Sequence, residues 1–419
     1  MIPASLLLLA LPAVTEPTSD VMAFRVGRAE TIAHGAIEHA VVLVEDGKIT
    51  VVDQDLPIER GIPVLDRPDW VLMPGLVDCH SQAGVSRNGS SSSEPHVKVS
   101  GELYARQEIY TDLLELGVTT LGLVPGGSGI PGQAVAIRPK GETGEDLVVE
   151  DSVYLKVILR SNAKSKKMLM EGFEKVDDHD GKVQKAREKW EKDLEKQKKA
   201  DKKKKDDDEK EDDSKRVPEH FTPPDADPKV QPFIDLREGE MRALMSISKA
   251  ADFIHLLDAL GDEEIEWSLH CPLRDDIDLY EVAEQVGEAA VRVVLEPEIT
   301  LQPYTRRERN LPREMAEAGA KLALVPRTDS VTGHRNWLMD VGHLVKGGLD
   351  RDVALRAVTL EAAAVLGLDE RIGSIEKDKD ANLLLFDGDP LEPSSRLRMV
   401  MLEGEVVYEY EPVYAGGDQ

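Results

Sequence analysis

The chain has 419 residues, with 52 Lys and Arg against 80 Asp and Glu, a formal net charge of −28. That length allows two or three domains and a sizeable core. The charge argues against a bound nucleic acid, which is held by clustered Lys and Arg, and two cysteines, Cys79 and Cys271, exclude a disulfide framework. The acidity is uneven: residues 182–216 hold 15 basic and 12 acidic side chains, leaving 37 basic and 68 acidic, −31, on the other 384.

Met1 to Val14 carries no charged residue and has an apolar centre at Leu6–Ala10. It is too short to span a bilayer. Residues 1–19 read as a signal peptide with a small-residue processing zone at Ala10–Ala13, which implies export to a periplasmic or extracellular space. The first positions lack Lys and Arg, so a loosely packed tail on a cytoplasmic protein is the other reading. No later stretch is long and apolar enough for a membrane span.

From Met22 to Met73 short apolar runs alternate with turn residues. Ala40 to Val52 predicts a hairpin turning at Asp46-Gly47, a pair suited to the positive φ of a type I′ turn. After Pro74, strand-like runs at 75–79, 118–124, 154–159, 244–248, 265–270, 291–295 and 321–325 alternate with helix-period segments such as 102–116, 279–286 and 352–366. That alternation predicts βα units and a parallel sheet, and the number of units favours an α/β fold of the (β/α)8 TIM-barrel type. The chain returns to β at 382–387 and 400–408. The fold class expected is therefore a barrel over 74–371 with a small β-sandwich built from both chain termini, 20–73 and 372–419.

Residues 164–231 interrupt the barrel. They are Lys-rich, then almost wholly charged, then Pro-rich at 218–232, a composition that buries too little apolar surface to offset its ordering entropy. Lys182 to Lys199 suits a solvated helix with mixed-sign pairs. A charged arm or linker is the plain reading of this insertion, and a docking arm for a protein partner is the other.

The informative string is Pro74-Gly75-Leu76-Val77-Asp78-Cys79-His80-Ser81-Gln82-Ala83-Gly84, where the β region meets the barrel. Here the chain resembles the amidohydrolase superfamily of metal-dependent hydrolases, in particular imidazolonepropionase-like members. In that family a PGLVDxHxH segment ends the first barrel strand, and its two His bind the catalytic metal. Residues 354–390, ALRAVTLEAAAVLGLDERIGSIEKDKDANLLLFDGDP, are similar to the family's last helix and its return to the sandwich, and 45–52 and 402–408 resemble its sandwich hairpins. The likeness covers all but 1–20 and about 164–231.

The resemblance implies hydrolysis of a C–N bond, amide or cyclic amide, by a metal-activated water. Zn²⁺ or a similar divalent ion would lower the pKa of its water and polarise the substrate carbonyl. Side chains at i and i+2 of a strand share a face, so a His-x-His pair reaches one ion at the barrel mouth. This sequence departs from the pattern. His80 is kept but the second position is Gln82, whose carbonyl suits Zn²⁺ poorly. The next ligand-bearing strand offers Ser246 and Ser248, His270 ends the strand after it, and Arg327 occupies the usual acid position, with Asp329 the nearest carboxylate. The resulting candidate set is His80, Gln82 and His270 as metal ligands and Asp329 as base. The alternative is a catalytically silent protein of the same fold that binds a small molecule, or a protein through 164–231. Homo-oligomerisation is implied by the resemblance alone.

Four further histidines have other settings. His255 lies in an apolar helix-period run and suits packing or capping; His334 comes after the seventh run and could face the mouth; His343 suits helix surface or core; His96 sits in a loop that could touch substrate. Gly126 to Gln133 reads as a tight loop near the mouth, without the Gly-Lys-Ser/Thr of a phosphate cradle. Cys79 and Cys271, as neighbours of inward His, are expected to point outward as buried thiols.

Overall fold

The computed structural model describes residues 21–89, 91–203, 216–273, 278–289 and 291–410. The 1–19 signal reading lies outside them. Among the described residues no helix is long and apolar enough to cross a membrane.

Two eight-stranded sheets organise the chain. The first joins both chain ends on one hydrogen-bonded path. Glu405–Glu409, Leu397–Leu402 and Leu383–Phe386 lead into Val64–Pro74, then Val21–Glu30, Ala40–Glu45 and Lys48–Gln54, with Ala36–Glu38 added to Val21–Glu30. The seam is antiparallel, pairing Leu383 with Pro74 and Phe386 with Val71. Side chains on Leu383–Phe386 alternate. Leu383 and Leu385 pack with Phe24, Val42 and Met401, whereas Leu384 and Phe386 join the large core with Met73 and Val400. Both faces are covered there, which is why this strand reads as an unbroken apolar run. The terminal unit is thus one continuous sheet in its hydrogen bonding.

The Asp46-Gly47 hairpin forms as expected, with φ of 49° and 79°. Gly47 is required twice over: a Cβ there would lie 2.8 Å from the Glu403 carbonyl oxygen of the C-terminal hairpin.

The second sheet runs Leu76–Ser81, Val118–Leu123, Gly132–Ile137, Val148–Ile158, Arg242–Ser246, Trp267–His270, Arg292–Leu295 and Lys321–Leu324. It is a nearly closed TIM-type barrel sheet. All seven runs read from the sequence are its parallel strands. The eighth, Gly132–Ile137, is antiparallel to both neighbours, so the strict (β/α)8 repeat is corrected to seven parallel strands and one reversed strand. The glycine-rich loop expected over 126–133 ends at Gly132, where this strand begins. Among the described residues no ladder joins the first and last strands; helix Leu360–Val365 packs against both and, with Val77, Ala134, Leu244 and Ala323, forms an inner core.

The insertion begins as a 41-residue helix, Ala163–Lys203. Its first turns are anchored: Leu169, Phe173 and Val176 are buried, and Phe173 meets Phe233 of the returning chain edge-on at 5.2 Å. Farther out, the Trp190 indole N–H donates to the Pro218 carbonyl at 2.9 Å and the Trp190 ring packs near Phe221.

Candidate functional site

The first barrel strand carries a bulge that decides where its side chains point. Asp78 pairs with Leu121 and Ser81 with Leu123, so three steps on this strand oppose two on its neighbour. An extra residue in one strand re-aims the side chains beyond it. Asp78 faces the helices, Cys79 packs in the inner core beside Tyr154 and Val294, and His80 also reaches inward. The expectation that Cys79 points outward is therefore corrected. Cys271 does lie in the outer core, and both thiols are buried and free.

Inside, His80 stacks on His270, with ring centroids 3.9 Å apart and planes 28° from parallel. The register places Ser246 beside His270, and Ser246 Oγ lies 3.0 Å from His270 Nδ1. His80 Nε2 is buried without a hydrogen-bond partner among the described residues. Burial is the main reason both rings stay neutral. It pushes His80 well below the usual range, helped by His270 and Lys156, and takes His270 down to about 3, helped by Lys156 and Arg160.

Lys156 is the group that pattern reading passed over. It sits on Val148–Ile158 with only 6% of its surface exposed. Its ammonium donates to the Pro125 carbonyl at 3.4 Å. Burial lowers its pKa to about 8, with the Asp329 carboxylate acting the other way. Lys156 lies two residues from Tyr154, whose hydroxyl donates to the Cys79 carbonyl at 2.7 Å. The period-2 relation to an inward tyrosine was the available signal.

Asp329 comes after the last barrel strand. Ser81 Oγ donates to its Oδ1 at 3.0 Å, the Gln82 backbone N–H also favours its charge, and Arg87 approaches to 3.8 Å. Burial, aided by the negative charge of Asp78, nevertheless raises its pKa. Gln82 thus meets Asp329 through its backbone. Arg327, at the family's acid position, turns away to an exposed pair with Glu298 at 2.7 Å; Lys156 is a cation buried inside the barrel.

A second polar pair supports the strand from outside. His334 Nε2 lies 3.1 Å from Asp78 Oδ2, and Asp78 Oδ1 accepts the His80 N–H at 3.2 Å. His334 is set by helix Val331–Lys346, whose first turn is capped by Ser330 Oγ accepting from the Gly333 N–H. Its Nδ1 faces the Ser330 carbonyl at 2.9 Å. Both nitrogens face acceptors, so both donate only in the imidazolium form. Burial opposes that form, yet the bond and charge of Asp78 outweigh it and raise the His334 pKa. His334 is a buried support of the first strand. His255, His343 and His96 are exposed.

The donor set does not fit the ion that the family resemblance implies. Zn²⁺ is bound along an imidazole's in-plane lone pair at about 2.0–2.1 Å. The planes of His80 and His270 run nearly side by side, so their lone pairs do not converge, and Ser246 already holds one nitrogen of His270. The Lys156 ammonium acts on the same two rings. Among the described residues no group of three or more His, Cys, Asp or Glu side chains could hold a metal ion.

Residues 230–407 match the amidohydrolase family, and the resemblance read from the sequence is borne out. An amidohydrolase from Thermotoga maritima MSB8 superposes with a TM-score of 0.74 at 21% identity, covering 93% of this chain and all of that one. A prolidase complexed with N-methylphosphonate-L-proline gives 0.52 at 14%, covering 93% and 100%. Ochratoxinase of A. niger gives 0.50 at 13%, covering 94% and 96%. At these identities the likeness is one of fold. No curated protein matches the chain.

Proposed function

We propose that this chain, an amidohydrolase relative over 230–407, is a hydrolase-like scaffold whose barrel mouth binds a small molecule without a resident divalent metal. The observation that carries the reading is the stacking of His80 on His270, whose nearly parallel rings cannot both aim a lone pair at one ion, in a barrel that also buries Lys156. The ligand would meet His80, Gln82 and Asp329, which are the partly exposed members of the group. The specificity of such a site lies in its mouth loops, and fold alone does not assign a substrate.

Hydrolysis of a C–N bond through metal-activated water, with His80, Gln82 and His270 as ligands and Asp329 as base, is the second reading. One observation favours it: the buried Nε2 of His80, which has no hydrogen-bond partner among the described residues and so is not committed to another protein group. Elemental analysis after exchange against Zn²⁺, Mn²⁺ and Fe²⁺ separates the two. The proposed reading expects far less than one ion per chain. A stoichiometric ion, together with turnover of an amide panel that is lost in His80→Ala, would replace it with the second.

A further inference from the structure

We infer that the flank of the barrel carries a small-molecule site of its own, a cavity of about 340 Å³ between helices Glu108–Glu115 and Val331–Lys346 and the terminal sheet, built for an uncharged apolar compound with one hydrogen-bonding group. The cavity shares no lining residue with His80, Gln82, His270 and Asp329, so it is separate from the barrel mouth.

One wall is rigid by sequence. Between strands Leu383–Phe386 and Leu397–Leu402 the chain makes two successive turns. The Glu392 N–H donates to the Asp389 carbonyl in the first and the Ser395 N–H to the Glu392 carbonyl in the second, each at 3.0 Å. Pro390 and Pro393 take the second position of their turns, where the ring fixes the φ that such a turn needs. Asp387 closes the loop: its N–H donates to the Arg396 carbonyl and its carboxylate accepts the Arg396 N–H at 2.7 Å. This wall therefore holds its shape with or without a ligand. The other walls are apolar. Leu338 and Met339 come from one helix, Leu116 ends the other, and Phe386 and Leu397 come from the sheet.

Two observations point to a ligand. The first is Ser395. Its Oγ is buried, lines the cavity and has no hydrogen-bond partner among the described residues. Buried hydroxyls are paired as a rule, and leaving one unpaired is costly. The second is Met339, a large apolar side chain of the lining that is 38% exposed. The volume falls in the range of small-molecule pockets, about 300–1,000 Å³.

The charges set the chemical class. Glu115, Arg335 and Glu392 line the cavity only as exposed side chains, where an ion pair gains little. Two carboxylates against one guanidinium, on a chain of net charge −28, also disfavour an anion. His334 is buried in the lining, but its nitrogens already face Asp78 and the Ser330 carbonyl. The interior thus offers a ligand apolar contact and one free hydroxyl.

The test titrates the full-length chain, its methionine methyl groups labelled for NMR, with 2-phenylethanol, an aromatic body carrying one hydroxyl. The Met339 methyl signal is expected to shift saturably. Ser395→Ala should weaken binding about fivefold, the worth of one neutral hydrogen bond. Met339→Trp, read through the Leu338 methyl signals, should fill the cavity and abolish binding. Phenylacetate, the anionic analogue, should bind at least about tenfold more weakly, since it must desolvate a charge. Gln82→Ala, at the barrel mouth, should leave the titration unchanged. No saturable shift would mean a cavity that holds water only and would overturn the inference. Binding untouched by Ser395→Ala, or lost in Gln82→Ala, would place the ligand elsewhere and overturn it too. Phenylacetate binding as tightly as the alcohol would overturn the chemical class. If Met339→Trp does not fold, Ser395→Ala decides alone, because removing an unpaired hydroxyl does not threaten the fold.

Discussion

Nε2 of His334 lies 3.1 Å from Oδ2 of Asp78, and neither side chain has any exposed surface. The pair links helix Val331–Lys346 to the first barrel strand, immediately before the bulge that turns His80 inward. Its chemistry yields a stability prediction with a definite sign. His334 has a folded pKa raised above its ordinary 6.5, so its contribution is fully present below that value and is lost as pH rises through the raised one. Urea melts of wild type should therefore weaken on the alkaline side of pH 6.5, and Asp78→Asn should remove that dependence. Breaking a buried pair by removing one partner costs about 3–5 kcal/mol, and the variant should show it at pH 6. A pH-independent wild-type midpoint between pH 6 and 9 would contradict the imidazolium assignment.

His270 gives the opposite dependence. Its folded pKa is depressed to about 3. Between that value and its ordinary 6.5 the unfolded chain binds the proton and the folded chain does not, so stability falls as pH falls across that window. Each pH unit in which only the unfolded state is protonated is worth about 1.4 kcal/mol. His270→Gln keeps a polar side chain beside Ser246 and removes the titration. Its acid-unfolding midpoint should lie at lower pH, relative to its own stability at pH 7, than that of wild type. Parallel acid curves for the two proteins would refute this.

Much of this was legible in the residues, and the misses have physical causes. The seven parallel strands stood out because each is apolar on both faces and bounded by helix-period segments. The Asp46-Gly47 hairpin stood out because few dipeptides accept two positive φ values. Gly132–Ile137 was hidden: Gly-Gln-Ala-Val-Ala-Ile is short, its small residues have weak strand preference, and it comes directly after a loop of glycines. Lys156 was hidden inside the run Tyr154–Leu159, where a single charge looks like a surface position until the facing of Tyr154 is known. The Asp78–His334 contact spans 256 positions, beyond any local pattern. The bulge at 78–81 cannot be read from one strand, because it is a property of two.

The insertion divides into an anchored base and a solvated reach, and the two should respond differently to mutation. Phe173 is 4% exposed and packs against Phe233, while Arg237 lies over its ring at 5.4 Å. Truncation to Ala leaves a cavity and should cost about 3–5 kcal/mol. Trp190 packs beside Phe221 and hydrogen-bonds to Pro218, far along the helix from the barrel. Trp190→Ala should change global stability by less than about 1 kcal/mol while raising hydrogen exchange locally in the 216–221 segment. Equal losses from the two variants would mean that the whole helix folds as one unit with the barrel.

Gly47 joins the two ends of the chain. Its φ of 79° suits glycine, and an added Cβ would press on the Glu403 carbonyl oxygen of the C-terminal hairpin. Gly47→Ala should cost about 1–3 kcal/mol. Its effect should include faster exchange at Ala381, whose N–H donates to the Gly47 carbonyl. An unchanged urea midpoint would show that the hairpin tips are not in contact in solution.

Gln82→His restores the residue that the family resemblance asks for at the second ligand position, and it separates ligand loss from ring geometry. If zinc is absent only because Gln82 is a poor ligand, the substitution alone should bring a tightly bound ion. The geometry argues otherwise. Position 82 lies just past the end of the strand, its backbone N–H serves Asp329, and the His80 and His270 rings stay stacked. A third imidazole adds a donor but does not turn the two existing lone pairs toward one ion. Gln82→His should therefore show no more than a few-fold change in zinc affinity by calorimetry. A full gain from Gln82→His alone would place the cause of metal loss at residue 82 and leave the stacked rings without a role in it.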